Sequence, residues 1–209
     1  GLTVGLEQVI KVLQSAGIVR PLAPLPSITL GAVDLAPVEI AQMYQSLASG
    51  GHRAPLRTIR WIADSDDRPL ARYPLRSQLA LDPSGVFLLN RALQEVVRSG
   101  TARALAQEFP KSLALAGKTG TTDGYRDSWF VGYAGNILAV VWLGLDNNEP
   151  TGLTGASGAL KVWARLMRQL PLRPVQLYQP KNITWVRSAP SLVDAPCTVG
   201  DAMPFVIGT

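Results

Sequence analysis

Midway along this 209-residue chain the spacing of its apolar residues switches from helical to extended and back again, and that order of periods leaves few folds open. Leu6, Val9, Ile10 and Leu13 recur at helical spacing until Gly17 stops them. Val38, Ala41, Tyr44 and Leu47 form a second stripe, opened by Pro37 and ended by Gly50-Gly51. Val86, Leu89, Leu93 and Val96 form a third, behind an Asp82-Pro83 cap and ending near Gly100. From Ser112 the period becomes two. Leu113–Gly120, Asp127–Ala134 and Ile137–Leu145 are expected strands, the last two joined across Gly135-Asn136, a two-residue hairpin signal. Ala156, Ala159, Leu160, Trp163, Met167 and Leu170 then restore a helical stripe, read as core. Helices followed by a short antiparallel sheet and a covering helix predict an α+β or layered α/β fold.

Two further strands are expected over Leu56–Ala63 and Pro69–Tyr73, around the charged turn 64–68. Residues 20–36 are proline-rich and irregular. Pro171 ends the last helical stripe, and residues 171–209 carry short β-prone runs such as Ile183–Val186. The expected organisation is therefore one domain portion over residues 1–170 and a C-terminal extension over 171–209. The first helix begins almost at residue 1, so the fold is expected to be incomplete at its N-terminal side.

Hydrophobic residues make up 47% of the chain and charged residues 17%, enough to bury a core. The net charge of +5 comes from scattered Arg and Lys without interleaved aromatics, which argues against nucleic-acid binding. Cys197 is the single cysteine, so it is either a lone thiol or pairs outside these residues. No ligand set for a metal stands out, and no cofactor is expected. The most apolar stretch, Trp129–Leu145, is interrupted by Gly132, Gly135 and Asn136 and reads as a hairpin rather than a membrane span. His52, the only histidine, follows a glycine turn and is expected at the surface, outside any chemistry.

Candidate chemistry gathers at Gly117-Lys118-Thr119-Gly120-Thr121-Thr122, at the end of an expected strand. Lys118 would place a positive charge beside a serine nucleophile, favouring its anionic form. Thr119 and Thr121 share one face of a strand, so both hydroxyls can reach a substrate carboxylate, with Thr122 next to them. Gly120 lets backbone or ligand approach closely. The strand edge can bind an extended peptide, with the Thr121 N–H aimed at a developing oxyanion. Lys118 and Thr121 are thus the candidate catalytic residues, and Thr119, Gly120, Thr121 and Thr122 the candidate substrate-binding ones.

Taken with their surroundings, these residues resemble the transpeptidase domain of class A penicillin-binding proteins. The resemblance runs through Leu35–Tyr44 and Ser49-Gly50-Gly51, Val96–Ala102, Lys118-Thr119-Gly120, Asp127–Gly132, Gly144–Pro150 and Gly155–Ala159, and is strongest to the 1b subgroup of Gram-negative bacteria. It implies the penicillin-binding transpeptidase or serine β-lactamase-like fold and a D,D-transpeptidase that cross-links peptidoglycan stem peptides and is acylated by β-lactams. It further implies a glycosyltransferase domain elsewhere, an inner-membrane anchor with the site on the periplasmic side, and partners such as a lipoprotein activator and cell-division or elongation proteins. The family's site also needs Ser-x-x-Lys and Ser-x-Asn. Neither occurs in these residues; Ser157 and Lys161 are four apart. The nucleophile is therefore expected on a missing N-terminal part of the same protein, and these residues alone are expected to be inactive. A D,D-carboxypeptidase, a serine β-lactamase or a non-catalytic binding module of the same fold are the alternatives.

Overall fold

The computed structural model describes residues 2–187 and 202–207. Its centre is a three-stranded antiparallel sheet, β5 (Ala116–Thr121), β6 (Ser128–Tyr133) and β7 (Leu138–Leu143), in that order, with β5 at an edge. The helices α1 (Leu6–Ala16), α2 (Pro37–Ala48), α3 (Pro83–Arg98) and the short α4 (Leu105–Glu108) precede it, and α5 (Ala159–Met167) follows. Two small hairpin-like pairs lie between α2 and α3. β1 (His52–Arg53) pairs with β4 (Gln78–Leu79), and β2 (Trp61–Ala63) with β3 (Pro69–Arg72). In the tail, β8 (Ile183–Arg187) pairs with β9 (Ala202–Val206). The α+β class and the sheet order match the sequence reading.

Register sorts the sheet into two faces. Gly117 opposes Gly132, Thr119 opposes Phe130 and Thr121 opposes Ser128, and these pairs point to the α5 side. There Trp163, fully buried, sets its ring edge-on to Phe130 at 5.2 Å and to Phe109 at 6.1 Å, and its Nε1 donates to Gly132 C=O at 3.2 Å. Ala116 and Tyr133 point to the other face, against Leu47, Val86 and Leu93 of α2 and α3. A buried polar knot ties this second core together. Asn90 Nδ2 donates to Leu47 C=O (3.0 Å) and Val86 C=O (2.9 Å), and its Oδ1 accepts from Tyr133 OH at 2.6 Å. Burial raises the pKa of both Tyr133 and Tyr44, that of Tyr44 to about 12.

The helix starts follow their local chemistry. Pro37 opens α2, where Glu39 accepts from Ala36 N–H at 2.8 Å. That bond, helped by Arg20 at 2.8 Å, holds the Glu39 carboxyl below the usual range. Asp82 caps α3 by accepting from Gly85 N–H at 2.7 Å, as its sequence predicted.

Several boundaries differ from expectation. The strand expected over Leu56–Ala63 shrinks to Trp61–Ala63; at its expected start Leu56 N–H donates to Gln42 Oε1 on α2 instead of joining a ladder, just after Ala54 N–H has donated to Gln45 Oε1. The strand expected from Leu113 begins at Ala116, after a tight turn at Lys111–Leu113 and a left-handed Ala114. The last helix is shorter than its apolar stripe at both ends. Thr154 and Ser157 exchange hydrogen bonds at 2.9 and 3.0 Å, which winds residues 154–158 into a separate turn, and Ser128 Oγ then caps Ala159 N–H at 2.9 Å. The β1–β4 pair carried no signal strong enough to predict.

The expected turn at Gly135-Asn136 joins β6 to β7 and is also a docking point. Gly135 N–H donates to Arg173 C=O at 2.8 Å, and a Cβ there would lie 2.1 Å from Pro174 O, so only glycine admits the 171–174 segment. The tail continues onto α3, where Trp185 lies edge-on to Phe87 (6.5 Å) beneath the Arg91 guanidinium. Cys197 falls outside the described residues. Among the described residues, no helix is long and apolar enough to cross a membrane and no acidic, His or Cys cluster could hold a metal.

Candidate active site

β5 carries Lys118-Thr119-Gly120-Thr121 along the edge of the sheet. Thr122 N–H turns inward, donating to Asp127 C=O on the β6 side at 3.3 Å. Main-chain groups alternate along an antiparallel strand, so the N–H and C=O of Thr121 and Thr119 face the free edge. Lys118 is exposed, and its Nζ donates to Thr119 C=O at 2.8 Å, which sets the ammonium along that same edge. None of the described carboxylates forms an ion pair with it.

Thr119 and Thr121 share one face, as expected, and each hydroxyl is held by a neighbouring loop. Thr119 Oγ1 lies 2.7 Å from the hydroxyl of Thr101, in the turn between α3 and α4. Thr121 Oγ1 accepts from Gly155 N–H at 2.9 Å. An N–H can only donate, so the Thr121 hydroxyl proton is left for another acceptor, and none of the described groups takes it. Gly155 is buried against the strand, where a Cβ would lie 2.6 Å from Trp129 O and 2.7 Å from Gly120 O. Thr122 is committed differently. Its hydroxyl donates to Asp127 Oδ2 (2.9 Å) and accepts from Asp127 N–H (2.8 Å), while Asp127 Oδ1 accepts from Trp142 Nε1 at 2.8 Å. These bonds lock the β5–β6 connection and fix the end of the strand.

The site therefore presents an ammonium, outward main-chain donors and two hydroxyls, that of Thr121 oriented by Gly155 N–H and that of Thr119 in contact with the Thr101 hydroxyl. An arrangement of this kind binds a carboxylate and polarises a carbonyl. The sequence missed Thr101, Gly155 and Asp127 as site neighbours. Thr101 and Gly155 sit in small-residue runs, Ser99-Gly100-Thr101 and Gly155-Ala156-Ser157-Gly158, and such a run is the one trace a close loop approach leaves. His52 lies at the surface in β1, with Nδ1 3.2 Å from Ser49 O.

Comparison with known proteins shows the family and the fold of this chain. The chain is 42% identical over 185 residues to penicillin-binding protein 1B of Vibrio cholerae, covering 88% of this chain and 24% of that protein. It is 38% identical over 184 residues to penicillin-binding protein 1B of Escherichia coli, covering 88% and 22%. It thus spans about a quarter of the length of these curated relatives. The crystal structure of penicillin-binding protein 1A from Haemophilus influenzae superposes with a TM-score of 0.87 at 21% identity, over all of this chain and 37% of that one. At that identity it speaks for the fold alone. Residues 15–169 match the penicillin binding protein transpeptidase domain, and the chain belongs to that family.

Proposed function

We propose that these residues form one wall of a D,D-transpeptidase site that cross-links peptidoglycan stem peptides and is acylated by β-lactams. The observation that carries this reading is the edge strand itself. Lys118 lies along its open side, the Thr121 N–H points outward, the Thr121 hydroxyl accepts from Gly155 N–H so that its proton remains for a ligand, and the Thr119 hydroxyl stands on the same face, 2.7 Å from that of Thr101. The C-terminal carboxylate of a stem peptide, or the carboxylate of a penicillin, lies between the two hydroxyls. Gly120 leaves room beside it, Thr122 holds the strand end through Asp127, and the Thr121 N–H faces the reacting carbonyl oxygen. Lys118 favours the anionic form of the nucleophile and helps neutralise the bound carboxylate.

The nucleophile is a serine of a Ser-x-x-Lys motif, supplied by residues outside these 209, which contain no such motif. Residues 1–170 belong to the transpeptidase portion, and 171–209 are a C-terminal extension, of which Trp185 lies against α3. The complete protein also carries glycosyltransferase activity. It is held at the periplasmic side of the bacterial inner membrane and works with a lipoprotein activator and cell-division or elongation proteins. The resemblance to class A penicillin-binding proteins supports this reading of the whole protein.

Fluorescent penicillin tests the reading. The complete protein should be labelled on a serine outside these residues. Lys118→Ala should slow acylation by roughly two to three powers of ten, the cost of one preorganised electrostatic group of about 3–4 kcal/mol. Residues 1–209 alone should take no label. A labelled serine within them, or an acylation rate within threefold of wild type for Lys118→Ala, would overturn the assignment.

A further inference from the structure

Thr101 stands outside the Lys-Thr-Gly strand, yet its hydroxyl is 2.7 Å from that of Thr119, the central residue of the motif. The turn that carries it is tightly built. Gly100 N–H donates to Glu95 C=O at 3.2 Å, Ala102 N–H donates to Val96 C=O at 3.1 Å, and Ala102 is fully buried beneath the turn. Thr101 itself is exposed, on the solvent side of that anchor. The loop thus holds one hydroxyl at a fixed place beside the strand.

The opposite end of the motif shows what such a partner does. Gly155 N–H occupies an acceptor lone pair of Thr121 Oγ1 and can do nothing but donate, so the Thr121 proton is turned outward. Thr119 and Thr121 lie two residues apart on one face, about 6.5 Å along the strand. One carboxylate placed between them, with a hydrogen bond of about 2.7 Å to each oxygen, spans that distance. Both hydroxyls can serve it only if neither spends its proton on a protein acceptor. Gly155, a donor only, leaves the Thr121 proton free, and among the described residues Thr101 is the side chain bonded to Thr119, so the direction of that one bond decides whether the Thr119 proton is free.

We propose that Thr101 is a positioning residue for carboxylate recognition. It donates its hydroxyl proton to Thr119 Oγ1, so that the Thr119 proton points at the carboxylate of a stem peptide or β-lactam. The two hydrogen bonds in series also polarise each other. This inference rests on the reading of the site given above. It adds a residue from outside the strand and makes recognition of the negative charge depend on it.

The test compares acylation of the complete protein by benzylpenicillin with acylation by its neutral methyl ester. Thr101→Val keeps the shape and removes the hydroxyl. It should slow acylation by the acid about tenfold, the size of one lost hydrogen bond to a charged group, and leave the ester rate unchanged. Thr101→Ser should restore the acid rate. Thr101→Ala, which requires no added space, should behave as Thr101→Val does and serves in its place if that variant folds poorly. Equal slowing of acid and ester would make Thr101 a structural residue, and an unchanged acid rate would remove it from the site; either outcome overturns the proposal. Failure of the wild-type protein to acylate would instead defeat the transpeptidase reading itself, and this inference with it.

Discussion

The hydrogen-bonded knot of Asn90 and Tyr133 gives the most exacting test of how this fold is held together. Both side chains are essentially fully buried, and together they join α2, α3 and β6. Replacing Asn90 by the near-isosteric Leu leaves few groups stranded. Leu47 C=O still accepts from Gly50 N–H at 3.2 Å, and Val86 C=O remains in the ladder of α3. The group left without a partner is the Tyr133 hydroxyl. An unsatisfied buried hydroxyl costs about 1–3 kcal/mol, and the lost bonds to the carbonyls add about 1 kcal/mol, so Asn90→Leu should destabilise by roughly 3 kcal/mol. Tyr133→Phe strands the Asn90 oxygen instead and should cost about 2 kcal/mol. In the double variant neither group is orphaned, and apolar atoms of similar shape fill the space. It should cost only about 2 kcal/mol, leaving a coupling of roughly 3 kcal/mol between the sites. Equilibrium urea unfolding of the four proteins, followed by tryptophan fluorescence, measures the cycle. Additive costs, or single variants within about 0.5 kcal/mol of wild type, would show that the knot does not act as a unit.

The same core sets an alkaline limit. Tyr44 and Tyr133 are held neutral by burial, with folded values above the ordinary 10.0, so their contribution is complete below pH 10 and is lost as pH rises through the folded value, about 12 for Tyr44. A pH series of thermal melts should show stability falling from about pH 10 upward, and Tyr133→Phe should lose less of its own neutral-pH stability over that range than wild type does; equal losses would refute the link. At the site, Gly155→Ala would place a Cβ 2.6–2.9 Å from main-chain atoms of Gly120 and Trp129, which cannot swing aside. The loop must lift from β5 and withdraw its N–H from Thr121. That should cost about 1–3 kcal/mol of stability and lower penicillin acylation at least tenfold, about the effect of one hydrogen bond lost at a charged ligand. Calorimetry and acylation kinetics on the same sample check both, and an unchanged acylation rate would detach Gly155 from the site.

What the sequence revealed and what it hid divide along the range of the interactions involved. Period-two runs located β5, β6 and β7 within a few residues, because each alternates between two packed faces that differ in character: Phe130 meets Trp163 on one side and Tyr133 meets Leu47 on the other. The Asp82-Pro83 cap and the Gly135-Asn136 turn were legible because their chemistry is local. The errors arose where a distant side chain captured a backbone group. Gln42 took the Leu56 donor out of an expected strand while Gln45 tied down Ala54 just before it, and Ser128 moved the start of α5 to Ala159. The site follows the same division. Lys118, Thr119, Gly120 and Thr121, the residues expected at the site, form a contiguous motif, and their placement together on an edge strand was legible from sequence. Thr101 and Gly155 lie 18 and 34 residues from the hydroxyls they hold. Their contribution is one hydroxyl and one main-chain N–H, of which the small-residue runs around them are the only sequence trace. A motif can specify which hydroxyls line a strand, but the direction of their protons is decided by loops that reach them from elsewhere in the fold. On the proposed reading, carboxylate recognition at this edge depends on tertiary structure as much as on the motif.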